Sequence, residues 1–382
     1  MPSVFFISLM AGSPWGGSEE LWYKTALYAG KKGWKVGCAV YYWRSKEDRM
    51  QVLKDAGAVV YYLPNKGRSK RNLFERIQNK ISKARLKKFI QSLPITEYDL
   101  VVVNQGAFEV TTAAWRDYYK NLYKYIVLYH NYKEHEVLKG EKKAAVQNWS
   151  SHARLNLFAS RRIAEVLQAN SGITPPKADI LLNPISFDPP LTYTPYPPLQ
   201  NGNYRFVMLA ALEVWRKAQD NLVNALSSEK WKGRNFTLHL YGEGKDKHSL
   251  QELISKAGLQ NKVFLEGNTN DAGSVLQNTH LLLQLTHIDA MPLSVVEALA
   301  IGRPVAASRI GDMPDWITEG ENGWISSGAS IEQIDSALER AWQQREQWLT
   351  MAENAFATFE RKFPASAEEK LLEQIEEIIT KD

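Results

Sequence analysis

The chain reads as an α/β protein with two doubly wound domains in tandem. Three observations predict this. Residues 4–42 run apolar strand, glycine loop, helix, apolar strand. Residues 281–308 repeat the order strand, loop, helix, strand. Between them, five prolines crowd residues 187–198. Continuous apolar runs bounded by turn signals are buried parallel strands, and alternation with helices marks a sheet covered on both faces. That proline density forbids both helix and central strand. It sets a linker at 189–203, between a first domain, 1–188, and a second, 204–363.

Composition bounds the function. A length of 382 residues suits two domains, and 44% hydrophobic with 23% charged residues is ordinary for a globular protein. The formal charge of +5 is too mild to argue for nucleic acid. A lone cysteine, Cys38, excludes an internal disulfide and fits a reducing compartment. No stretch approaches the roughly 20 apolar residues that cross a bilayer. Residues 4–10 lack a preceding Lys or Arg, so they read as the first strand and not as a signal peptide. A cytoplasmic protein is expected.

The elements follow in order. Strand 4–10 leads through Gly16 and Gly17 into a helix over 18–32, with Leu21, Trp22, Ala26 and Ala29 at helical spacing and Ser18 as its N-cap. Gly33 stops it, and 35–42 is the next strand. The loop is neither G-x-G-x-x-G nor a Walker sequence, so dinucleotide or ATP binding is not supported. Between residues 66 and 90 basic residues crowd among Leu73, Phe74, Ile77, Ile81 and Phe89. This face either docks on anionic membrane or packs its apolar side on the domain. Strands at 99–104 and 125–129 end in polar residues, Asn104-Gln105 and His130-Asn131, on the rim where ligands bind in such sheets. A strand runs into a helix over 154–168, turning at Ser160.

The second domain opens with a strand at 204–211. Strands at 235–241 and 263–266, the latter ending at Gly267, flank a helix at 248–257. Residues 331–361 are helical, Gly323 lies in a hairpin-like turn, and a last amphipathic helix reaches about residue 379. No His, Cys or acid cluster has metal spacing, and D-x-D is absent from the motifs. His130 and His135 are five apart, unlike a zinc-binding i, i+4 pair.

The most informative stretch is 281–325. After the apolar strand 281–285 comes a polar loop, then a helix over 294–301 with Ser294 as N-cap and Glu297 three residues on. A helix start at the carboxyl end of a parallel strand offers backbone N–H groups to an anion, most simply a phosphate. Residues Leu293 to Val296 would point such donors at it. Asp289 and Glu297 flank it, and ionised carboxylates accept hydrogen bonds from sugar hydroxyls. The alternative is a capping box and a solvated loop acid.

The run D-A-M-P-L-S-V-V-E-A-L-A-I-G-R-P-V at 289–305, with the later Asn322-Gly323, resembles the signature of retaining family-4 glycosyltransferases of the GT-B fold. G-G-S-E-E-L-W at 16–22 is similar to that family's glycine loop, which faces donor diphosphate and acceptor. Residues 212–220, L-E-V-W-R-K-A-Q-D, resemble the segment that places a phosphate-binding lysine, here Lys217. Two departures stand out. Asp289 replaces the usual Glu, and Ala211 stands where an arginine is usual, with Arg216 the nearest substitute.

The resemblance implies two Rossmann-like domains facing a central cleft, with a C-terminal helix, 364–382, crossing back to the first. It implies transfer of a sugar from a nucleotide-diphosphate sugar to a hydroxyl of a glycan, lipid-linked or small-molecule acceptor, with retention and without metal or other cofactor. Surface-polysaccharide or glycoconjugate synthesis is the expected setting. The membrane alternative puts the protein on the inner face of the membrane. In these terms His130, Asp289 and Lys217 serve the chemistry. Gly16, Gly17, Arg216, Gly267, residues 291–295 and Glu297 bind donor. The rival readings are a GT-B sugar-nucleotide epimerase and a non-catalytic sugar-nucleotide-binding homologue.

Overall fold

A computed structural model describes residues 1–10, 15–64, 84–106, 124–131, 137–190, 192–290, 293–363 and 366–381. The chain forms two units, Met1–Pro184 with Ala365–Asp382, and Ile185–Pro364. The basic stretch 66–90 lies mostly outside the described residues, as do Met291 and Pro292.

The first unit holds a parallel seven-stranded sheet ordered β3-β2-β1-β4-β5-β6-β7. Its strands are β1 Ser3–Ser8, β2 Lys35–Tyr41, β3 Val59–Leu63, β4 Leu100–Gln105, β5 Tyr125–Tyr129, β6 Leu155–Phe158 and β7 Ala178–Ile180. β1, β4 and β5 are buried at every position, as expected where helices cover both faces. Helix Gly17–Lys31 lays Leu21, Trp22, Ala26 and Ala29 on the sheet. Helix Ala367–Lys381 joins the same core through Leu371, Leu372 and Ile375.

The second unit repeats the plan with six parallel strands, ordered β10-β9-β8-β11-β12-β13. They are β8 Tyr204–Leu209, β9 Phe236–Tyr241, β10 Val263–Gly267, β11 Leu281–Gln284, β12 Val305–Ser308 and β13 Gly323–Ser326. In both sheets the order reverses once, between β1 and β4 and between β8 and β11. Those reversals are the switch points at which doubly wound sheets bind ligands.

Several expectations are corrected. Gly323 begins β13, a strand parallel to β12, and the expected turn lies just before it at residues 320–322, closed by the Gly320 N–H on the Gly323 carbonyl at 2.9 Å. The helical stretch after 330 is two helices, Ile331–Gln343 and Trp348–Lys362. Helix one starts at Gly17 with extended Gly16 as N-cap, so Ser18 lies inside its first turn. The helix after β11 starts at Leu293, which likewise puts Ser294 inside.

The proline-rich segment is no free linker, because the unit boundary falls at Pro184–Ile185 and the prolines dock on the second unit. Arg303 is 0% exposed and, among the described residues, pairs with no acid. Its guanidinium donates instead to the carbonyls of Thr194, Pro195, Leu276, Gln277 and Gly302 at 2.9–3.2 Å. Five donors meet five acceptors, which satisfies the fork completely. Tyr196 adds a hydrogen bond from its hydroxyl to the His280 carbonyl at 2.8 Å.

Candidate functional site

In the second unit the polar residues gather at the switch point. β8 ends at Leu209, and a short helix, Val214–Lys217, follows. Ala218 stops that helix in the left-handed region at φ +50°, donating its N–H to the Val214 carbonyl at 2.9 Å. A residue with a Cβ sits there at a cost of roughly 1 kcal/mol. The loop after β11 latches onto this turn. The Arg216 carbonyl accepts from the Thr286 hydroxyl at 2.6 Å, from the His287 N–H at 2.9 Å and from the Ile288 N–H at 3.2 Å.

The latch brings Lys217 and Asp289 together. Lys217 Nζ lies 2.8 Å from Asp289 Oδ2, and Gln284 Nε2 donates to the same oxygen at 3.0 Å. Asp289 Oδ1 accepts from the Ala290 N–H at 3.0 Å. Arg216, the residue nearest in sequence to the arginine missing at Ala211, pairs with Glu213 at 3.2 Å.

Behind the loop, Gly311 adopts φ +57°, and a Cβ there would meet the Ala290 carbonyl oxygen at 2.3 Å and that of Asp289 at 2.9 Å. Glycine is required at this point because the loop carrying Asp289 rests on its Cα.

Four positions after Asp289, helix Leu293–Ala300 begins. Ser294, Val295 and Glu297 are buried, with Leu293 half-buried. Glu297 accepts from the backbone N–H of Ser186 at 2.9 Å, so it tethers the segment that enters this unit. Gly267 ends β10 at φ +77°, beside a register shift, and its carbonyl accepts from the Gly242 N–H at 2.8 Å. It lies at the sheet edge, two strands from β8.

The first unit has its own polar cluster, also at a switch point. Parallel register sets Ser8 of β1 beside Asn104 of β4. His130 follows β5, and its Nε2 lies 2.5 Å from Asn104 Oδ1. Asn104 Nδ2 donates to Glu19 Oε2 at 2.8 Å, and the Ser8 hydroxyl donates to Glu19 Oε1 at 2.7 Å. Burial pushes the Glu19 carboxyl up to about 7, against hydrogen bonds from Ser8, Trp22, Asn104 and Ser18 that favour its charged form. Burial pushes the His130 imidazole down to about 3, against a hydrogen bond with Asn183. Gly16 and Gly17 lie beside this cluster in sequence, and a Cβ on Gly16 would meet nothing within 4 Å.

The predicted residues thus fall into two groups, His130 with the glycine loop in one unit and Lys217 with Asp289 in the other. Sequence reasoning overlooked Glu19, Gln284, Thr286 and Gly311. Glu19 lies inside the G-G-S-E-E-L-W run and the other three inside 281–325, so the motifs held them without singling them out. Among the described residues no three His, Cys, Asp or Glu side chains come together, and no helix is long and apolar enough to cross a membrane.

Residues 197–358 match the family described as glycosyl transferases group 1. The poly(glycerol-phosphate) alpha-glucosyltransferase of Bacillus subtilis is 29% identical over 125 residues, 32% of this chain and 19% of that protein. The poly(ribitol-phosphate) alpha-N-acetylglucosaminyltransferase of Staphylococcus aureus is 29% identical over 116 residues, 30% of this chain and 24% of that protein. The chain therefore spans about a fifth to a quarter of the length of these two relatives. Among solved structures, Anabaena HepE in complex with UDP aligns over 99% of this chain and 100% of its own, with TM-score 0.70 and 17% identity. At that identity the likeness shows the fold, which is GT-B.

Proposed function

We propose that this chain, whose residues 197–358 match the glycosyl transferases group 1 family, is a retaining glycosyltransferase that uses a nucleotide-diphosphate sugar. The observation that carries the reading is the Lys217–Asp289 pair at the second switch point, four residues before helix Leu293–Ala300. A cation and a helix start together suit a diphosphate, and an adjacent carboxylate suits sugar hydroxyls.

In this reading the bond from the anomeric carbon to the diphosphate oxygen breaks while the acceptor oxygen bonds to the same face. The acceptor proton passes to the departing phosphate oxygen. Lys217 and the N–H groups of the first helical turn offset the charge that grows on that oxygen. Asp289 and His130 hold the donor sugar, Glu297 the ribose, and no protein nucleophile or metal is used. UDP is the favoured donor nucleotide, because the solved HepE structure holds it. The acceptor is a hydroxyl of a glycan, polyol-phosphate or lipid-linked glycan, as the two relatives' names suggest.

The test is UDP release from UDP-glucose and UDP-N-acetylglucosamine, with and without polyol-phosphate acceptors, and proton NMR of the product's anomeric signal. An α product supports retention, and a β product overturns it. Absence of UDP binding removes the donor assignment.

A further inference from the structure

The hydrogen bonds of the first unit have a direction, and the direction fixes a proton. Asn104 is 0% exposed, so neither end of its amide can turn to bulk water. Its Nδ2 faces Glu19 Oε2 at 2.8 Å and its Oδ1 faces His130 Nε2 at 2.5 Å. When Glu19 is ionised, with Ser8 and Asn104 both donating to it, turning the amide over would set the Asn104 oxygen against a carboxylate oxygen that only accepts. Ser8 reinforces the choice, since its hydroxyl donates to Glu19 and accepts from Asn104 Nδ2 at 3.2 Å. The Asn104 oxygen therefore needs a donor, and His130 supplies it from Nε2. A neutral imidazole has one N–H, which leaves the buried Nδ1 as a lone pair.

We infer that Glu19 and Asn104 are positioning residues that lock His130 as the neutral Nε2–H tautomer for the transfer reaction. The inference rests on the proposed role of His130 at the donor sugar. As the bond to the diphosphate breaks, the anomeric carbon gains positive charge. A neutral imidazole beside it is compatible with that charge, whereas an imidazolium opposes it. The lock also holds the ring plane, and a misplacement of about 1 Å in such a site costs roughly 100-fold in rate.

The tautomer is read directly from long-range proton–nitrogen correlation spectra of the nitrogen-labelled full chain at a pH about two units above the value of about 7 at which Glu19 ionises, with His130 assigned by the signals lost in His130→Gln. The expected wild-type spectrum has Nε2 protonated and Nδ1 bare. In Asn104→Leu that preference is lost and kcat falls about 10- to 100-fold, with affinity for UDP within about twofold of wild type. A wild-type His130 protonated on Nδ1, or on both nitrogens, overturns the inference. So does an Asn104→Leu protein that keeps both tautomer and kcat. The wild-type spectrum needs no variant, so poor folding of Asn104→Leu does not shelter the idea. A wild type with the expected tautomer that binds UDP yet transfers no sugar supports the lock and overturns the transferase reading alone.

Discussion

Lys217 Nζ and Asp289 Oδ2 stand 2.8 Å apart although 72 positions separate the two residues. A diphosphate that engages Lys217 must share it with this carboxylate. The two substitutions are therefore expected to act in opposite directions on nucleotide binding. Lys217→Ala weakens UDP about 10- to 100-fold, the range of one or two charge-assisted hydrogen bonds. Asp289→Asn frees the ammonium and tightens UDP several-fold, while turnover falls because the sugar loses an acceptor. Titration calorimetry with UDP, beside steady-state rates, checks both signs.

Gly311 offers a way to move Asp289 without touching it. In Gly311→Ala the new methyl meets the Ala290 and Asp289 carbonyl oxygens, and the φ of +57° adds backbone strain. Roughly 1–3 kcal/mol of stability is expected to go. Donor affinity is expected to fall at least tenfold because the loop shifts. Equal UDP-sugar affinity in wild type and variant would show that the loop tolerates displacement.

Glu19 makes stability depend on pH. Its folded carboxyl sits at about 7 because burial disfavours the charge, against 4.5 for an ordinary glutamate. The folded state then binds the proton more tightly than the unfolded chain. The stabilisation is complete below about 4.5 and is lost as pH rises to about 7. The full difference is on the order of 3 kcal/mol. Glu19→Gln is neutral throughout, so it is expected to exceed wild type most at pH above 7 and to flatten this contribution. Urea midpoints across that range decide the matter. A wild type whose excess dependence over Glu19→Gln has the opposite slope would refute the assignment.

Arg303 is expected to dominate the stability of the second unit. Arg303→Met removes five hydrogen bonds to carbonyls, of which that of Leu276 keeps the Thr279 N–H, at a cost of about 3 kcal/mol or a fall of roughly 6–12 °C in melting temperature. Arg303→Lys keeps the charge but has three donors for five acceptors, so it recovers only part of the loss. Thermal unfolding of the three proteins ranks them.

Much of the fold was legible because each central strand is a continuous apolar run. β5 was expected at 125–129 and lies at Tyr125–Tyr129. The edges were less legible. β13 opens on a glycine beside an asparagine, where the turn runs straight into the strand. The docking of the proline segment left no side-chain signature, since Arg303 reads carbonyls. In the site, the motif pointed to Lys217 and Asp289 as separate ligand groups, and only the latch between Arg216 and residues 286–288 pairs them. Glu19 was hidden for a different reason. An acid in a first helical turn is ordinary dipole chemistry on a surface, and nothing local tells that this one faces Asn104.

The Arg303 clamp also predicts where this protein tolerates change. Because every acceptor is main-chain, the side chains at 194, 195 and 277 are free to vary without loosening it, whereas Leu276 is held by its own burial. Inserting or deleting a single residue there would slide the carbonyls out of reach. Drift in this region is therefore constrained in length and open in chemistry.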